Sequence, residues 1–176
     1  IRDAQVRRET PDAIIISIQE HTPLAMLDLG RKFLIDTRGE IIKEVKPADP
    51  QNLPVVSGLR FSDLNAAGQP PGQAYAAVLE VLKLGMDRHC VVTNRAIQKI
   101  CVDREIGLTL FAFDRQTAIK LGYDNYPDKY IRLRNVLGYL NRRPDWPDVR
   151  RIDLNNVDRI VVHPVAAGTS ADQKEV

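Results

Sequence analysis

Residues 4–27 read AQVRRETPDAIIISIQEHTPLAML. Gln5 to Arg8 forms one strand and Ala13 to Gln19 a second, paired across a Thr-Pro-Asp turn. Ile14, Ile16 and Ile18 alternate with Ile15, Ser17 and Gln19, the period of a strand with one buried face. Glu20 to Pro23 then bends the chain into a third strand from Leu24. Arg7 or Arg8 is placed to pair with Glu20 across the hairpin. The stretch opens in mid-strand, and residue 1 is Ile rather than Met. The expectation is a small recognition module that forms part of a longer protein.

The next strands follow the same logic. Phe33 to Ile35 and Ile41 to Val45 flank Asp36-Thr37-Arg38-Gly39, where Gly39 supplies the positive φ of a hairpin loop. KPADPQNLPVVSG, residues 46–58, holds three prolines and reads as a connector that admits no regular element.

Beyond it, Tyr75, Val78, Leu79 and Leu82 share one stripe of a helix over Gln73 to Leu84, with Gly85 as its stop. Strands are expected at Ile97 to Asp103, Leu108 to Phe113 and Ala118 to Leu121. Their short connections imply antiparallel pairing. A second helix spans Pro127 to Arg142 and buries Tyr130, Leu133, Leu137 and Leu140. A last hairpin joins Val149–Leu154 to Arg159–His163 through residues 155–158. The tail from Pro164 lacks the apolar content to order itself. The fold class is α+β, mainly antiparallel, with two packed helices.

Composition narrows the function. The 176 residues are 44% apolar and carry a formal net charge of +2. That charge, without Lys/Arg blocks or interleaved aromatics, gives no nucleic-acid footprint. No apolar run reaches the about 18 residues of a membrane span, and no signal peptide is visible. There is no GxGxxG or GxxxxGK phosphate loop. Glu20 and His21 sit beside each other, but no motif brings a nucleophile or second carboxylate to them, so no catalytic residue, metal or cofactor is assigned. Cys90 and Cys101 read as half-buried thiols, or as a disulfide in an oxidising compartment. Trp146, between Pro144 and Pro147, reads as a loop anchor.

Taken in order, these pieces resemble the FtsQ/DivIB family of bacterial division proteins. Val6, Arg8, Pro11, Glu20, Pro23 and Ala25 fill that family's V-x-R-x-x-P and E-x-x-P-x-A positions at the end of its POTRA module. Leu53 to Gly58 looks like its LP-x-x-x-G linker. Leu121-Gly122, Lys129 with Leu133, Val136-Leu137 and Ile152-Asp153-Leu154 resemble later motifs. The sequence departs from the pattern at Asn155, where the family has Arg, and at Asn156, where an aromatic is common.

The resemblance implies a partial POTRA module over 1–46, lacking its first strand and helices, a linker over 47–58, a β domain over 59–163 and a flexible tail. It implies a non-enzymatic scaffold of the cytoplasmic membrane, anchored by an upstream helix, with this segment outside the membrane. The implied partners are FtsB and FtsL, with other division proteins meeting the POTRA module. The FtsB contact would be made by strand addition on Arg151, Asp153, Asn155, Asn156, Arg159, Ile160, Val161 and Val162. Edge-strand physics suits that role, since a terminal strand leaves free N–H and C=O groups that an extended segment can pair with. The alternative is a POTRA-type docking module of a secretion or outer-membrane assembly system.

Overall fold

The computed structural model describes residues 3–9, 13–64, 70–143 and 148–165. β1 (Asp3–Glu9) and β2 (Ala13–Gln19) form an antiparallel ribbon of their own. Every residue in both strands is exposed, Val6 to 68% and Ile16 to 60%. The buried face expected for Ile14, Ile16 and Ile18 therefore does not exist here. The alternation records a side that can be covered, but a two-stranded ribbon has no third layer to cover it. The ribbon's register sets Arg8 opposite Ile14 and Asp3 opposite Gln19. Glu20 thus lies at the far end from Arg7 and Arg8, and no ion pair joins them among the described residues.

A nine-stranded sheet carries the rest. Its strands are β3 (Pro23–Asp28), β4 (Lys32–Asp36), β5 (Ile41–Glu44), β6 (Val55–Ser57), β7 (Ile97–Asp103), β8 (Gly107–Ala112), β9 (Thr117–Gly122), β10 (Val149–Asp153) and β11 (Val161–Pro164). The spatial order is β11-β10-β9-β8-β7-β6-β3-β4-β5. Five of the eight strand pairs are antiparallel, which fits the α+β expectation. Two of the parallel pairs arise where a helix returns the chain: α1 (Gln73–Leu84) between β6 and β7, and α2 (Tyr126–Asn141) between β9 and β10.

The proline-rich stretch does not separate two cores. Its prolines stand at 47, 50 and 54, and β6 follows at once. Proline's fixed φ forbids a helix interior but suits extended chain. Pro54 accepts the N–H of Met26 at 2.9 Å, and Val56 is fully buried between Leu27 and Ile100 in the ladder. Leu24, Leu27 and Ile35 belong to the same hydrophobic cluster as Ile100, Leu110 and Ile119. The sheet thus begins at Pro23, well before the boundary expected near residue 46.

The helices bury the stripes their sequences announce. Tyr75, Val78, Leu79 and Leu82 are all buried in α1. Gly85 ends α1 with a right-handed φ of −70°, so its role is steric. A Cβ there would collide with the Asn94 carboxamide, whose nitrogen donates to the Leu82 carbonyl at 2.8 Å. In α2, Tyr130 and Leu133 are buried while Leu137 and Leu140 are half-buried. Lys129 is buried because its ammonium donates to the Tyr123 and Asp124 carbonyls at 2.6 and 2.8 Å. It thereby closes the left-handed turn that starts the helix at Asp124 and Asn125. Among the described residues no helix is long and apolar enough to cross a membrane.

One polar cluster holds the β4–β5 turn. Asp36, 2% exposed, accepts the N–H groups of Arg38 (2.8 Å) and Glu40 (3.0 Å) and pairs with His21 Nδ1 at 3.0 Å. Tyr75 donates to the Gly39 carbonyl at 2.5 Å. Burial pushes the Asp36 carboxyl up, but the Glu40 and Arg38 N–H groups and the His21 ring outweigh it, leaving it below the ordinary carboxylate value. Its contribution to stability is therefore complete above about pH 4 and is lost as acid takes the pH through the lowered folded value. Asp36→Asn is expected to cost about 1–3 kcal/mol at neutral pH. Thermal melts from neutral to acid pH should show the gap to the natural protein closing below about pH 4.

Candidate protein-binding edge

Among the described residues β11 ends the sheet on one side and has a single neighbour, β10. Its outer row of backbone N–H and C=O groups is therefore unpaired within the sheet. The register fixes which side chains share a face. Ile119, Ile152 and Val162 lie side by side across β9, β10 and β11. Ile119 and Ile152 are fully buried, so Val162 continues the core row to the open edge. The alternate row places His163 beside Arg151 and Val161 beside Asp153, on the opposite face.

On the core side the edge borders a groove of about 510 Å³ lined by Arg132, Asn135, Val136, Tyr139, Leu140, Ile160 and Val162. It is mostly apolar, and Tyr139 is left half in water. The connection between β10 and β11 is held from α2. Arg132 donates from Nη2 to the carbonyls of Asn156 (2.8 Å) and Arg159 (3.3 Å), and from Nη1 to that of Leu154 (3.5 Å). One planar guanidinium thus ties three points of the loop to the helix. Arg132→Ala should speed amide exchange over residues 155–160 by roughly 5–20-fold, and Arg132→Lys should restore little of it. Exchange mass spectrometry reads this directly.

The residues expected at a binding edge are brought together in part. Arg151 and Asp153 lie on β10, both half-buried, and Val161 and Val162 lie on β11. Asn155, Asn156 and Arg159 are exposed in the connecting loop, and Ile160 is half-buried at the groove. The strand expected from Arg159 begins two residues later, because Arg132 holds the Arg159 carbonyl outside the ladder. Asn155 packs against Gly122, leaving no room for a Cβ there. No local pattern signals Arg132, Val136, Tyr139 or Leu140 at this edge. Helical spacing places them on α2 but cannot say which strand edge they meet.

The remaining candidate chemistry is sparse. His21, Asp36 and Glu40 bring donor atoms within 4.8 Å of one another. Both Asp36 oxygens are already engaged in holding the turn, so the cluster is accounted for as a cap. Cys90 and Cys101 are free thiols, both half-buried, and burial pushes the Cys90 thiol up. Cys101 Sγ lies 3.6 Å from Ser57 Oγ. Pro144, Trp146 and Pro147, and the tail from residue 166, fall outside the described residues.

Comparison with known proteins agrees with this architecture. Residues 25–155 match the family model described as "Cell division protein FtsQ/DivIB, C-terminal". The match starts inside β3, close to where the nine-stranded sheet begins, and ends just after β10. The chain is 35% identical over 168 residues to the cell division protein FtsQ of Anaeromyxobacter sp. (strain K), covering 85% of this chain and 55% of that protein. It is 28% identical over 170 residues to FtsQ of Geobacter sp. (strain M21), covering 94% and 59%. A shorter stretch of 59 residues is 41% identical to FtsQ of Myxococcus fulvus, covering 34% and 21%. The chain therefore spans somewhat more than half the length of the first two relatives.

Proposed function

The chain belongs to the FtsQ/DivIB family of cell division proteins, and from that premise we propose that it is the extracytoplasmic part of a non-enzymatic division scaffold whose β11 edge captures a partner strand. The observation that carries this reading is the open edge itself. β11 is short and, among the described residues, unpaired on its outer side, and it borders an apolar groove on α2. An extended segment laid along it gains main-chain hydrogen bonds, while every second side chain falls into the groove.

The partners in this reading are FtsB and FtsL, with FtsB supplying the added strand. The β1–β2 ribbon is the end of a POTRA module that meets other division proteins. The longer protein is anchored in the cytoplasmic membrane by a helix that precedes this segment. The family match over residues 25–155 favours division over a secretion-type docking module. The test is a calorimetric titration of this chain with the extracytoplasmic segment of the cognate FtsB. Saturable one-to-one binding is expected, and absence of binding contradicts the reading.

A further inference from the structure

The face of β10 and β11 turned away from α2 carries one arrangement that the edge's backbone does not require. Arg151 and His163 are directly opposed across the two strands, and Arg151 Nη2 lies 2.8 Å from His163 Nε2. A guanidinium has no acceptor, so Arg151 donates and His163 Nε2 holds the lone pair. In neutral imidazole the proton then sits on Nδ1, which can only donate. Nδ1 makes no hydrogen bond among the described residues. Arg151 also keeps a buried Nε–H without a partner among the described residues. The pair therefore presents an unspent donor on the outermost strand, His163 on β11, with an under-used positive charge behind it, Arg151 on β10.

Resting on the edge reading above, we infer that His163, oriented by Arg151, reads a carboxylate on the strand that seats beside β11. A residue of an added strand next to His163 places its Cβ about 5 Å away, within reach of an Asp or Glu side chain. The bond is charge-assisted, because Arg151 lies behind the imidazole and polarises it toward the incoming anion. The other charges on this face leave the preference intact. Asp153 lies one register position along, opposite Val161, and Lys120 is its neighbour on β9. Arg150 and Arg159 are exposed on the same hairpin and add positive charge. The partner strand is thus two-sided: apolar residues enter the groove at Val136, Tyr139 and Val162, and an acidic residue faces His163.

The test is a double-mutant cycle by calorimetry between the full chain and the FtsB extracytoplasmic segment, with each Asp and Glu of the segment neutralised in turn to Asn or Gln. One neutralisation should weaken binding to the natural chain by roughly 5–20-fold but change binding to His163→Leu by no more than about twofold. His163→Gln, which keeps both an acceptor for Arg151 and an outward donor, should bind like the natural chain. If the segment binds at β11 and every neutralisation weakens the natural chain and His163→Leu equally, the carboxylate inference is overturned and the edge reading stands. If the segment does not bind at β11, both fall together.

Discussion

Of the two substitutions Val161→Pro and Val162→Pro, one is expected to weaken capture of the partner strand severely while leaving the fold intact. Successive residues of an antiparallel strand turn their N–H and C=O groups alternately toward one neighbour and the other. Val161 and Val162 face Asp153 and Ile152 in the ladder. One of the two therefore addresses β10 and the other addresses the open side. Proline at the outward position removes a donor that only the partner uses and places its ring against the arriving strand. The expected loss is roughly a hundredfold in affinity, at an unchanged melting temperature. Proline at the inward position should lower the melting temperature and weaken binding together. Ile160→Pro, a natural choice from sequence alone, is less diagnostic. Ile160 lies before β11 and lines the groove, so it reports on loop and pocket rather than on the ladder. Equal, small effects of both proline variants on affinity would contradict strand addition.

The largest expected loss of stability lies elsewhere, at Gly58. Its φ is +93°, and an added Cβ would fall within the van der Waals envelope of the Val102 carbonyl oxygen on β7. Backbone cannot swing aside as a side chain can, so Gly58→Ala combines left-handed strain with a collision inside the central ladder. A cost of about 3–5 kcal/mol is expected, or about 10 °C in melting temperature for a domain of this size. Gly30→Ala is the control. Gly30 has nearly the same φ, +91°, but open space where the Cβ would sit. It should cost only about 1 kcal/mol. The difference between the two isolates the close approach of β6 to β7, and equal costs would show that the approach is looser than described.

Gly58 also shows what kind of information the sequence held. The LP-x-x-x-G pattern was legible as a motif, but its meaning was not. Three prolines suggested a boundary, whereas the chain runs straight through them into a central strand, β6. Local rules report what a backbone cannot do, and proline forbids helix far more firmly than it forbids extension. The limits of α1 were readable because period, flank and stop agreed. The lack of cover on the β1–β2 ribbon was not readable, since alternation is the same whether or not a layer lies against it. The binding edge divides in the same way. Its β-branched strand could be seen in residues 159–162, but Arg132 and the α2 groove depend on contacts more than twenty residues apart in the chain. No local pattern encodes them.

Strand addition makes a demand that side-chain variants only approach indirectly: the outward amide of β11 must change from a water-bonded group to a ladder-bonded one. Amide hydrogen exchange of Val161, Val162 and His163, followed residue by residue with and without the FtsB segment, measures that change. Strand addition predicts that the outward-facing amides of β11 slow by roughly a hundredfold or more on binding, while β5 at the other edge is unaffected. Tight binding with no added protection on β11 would contradict it.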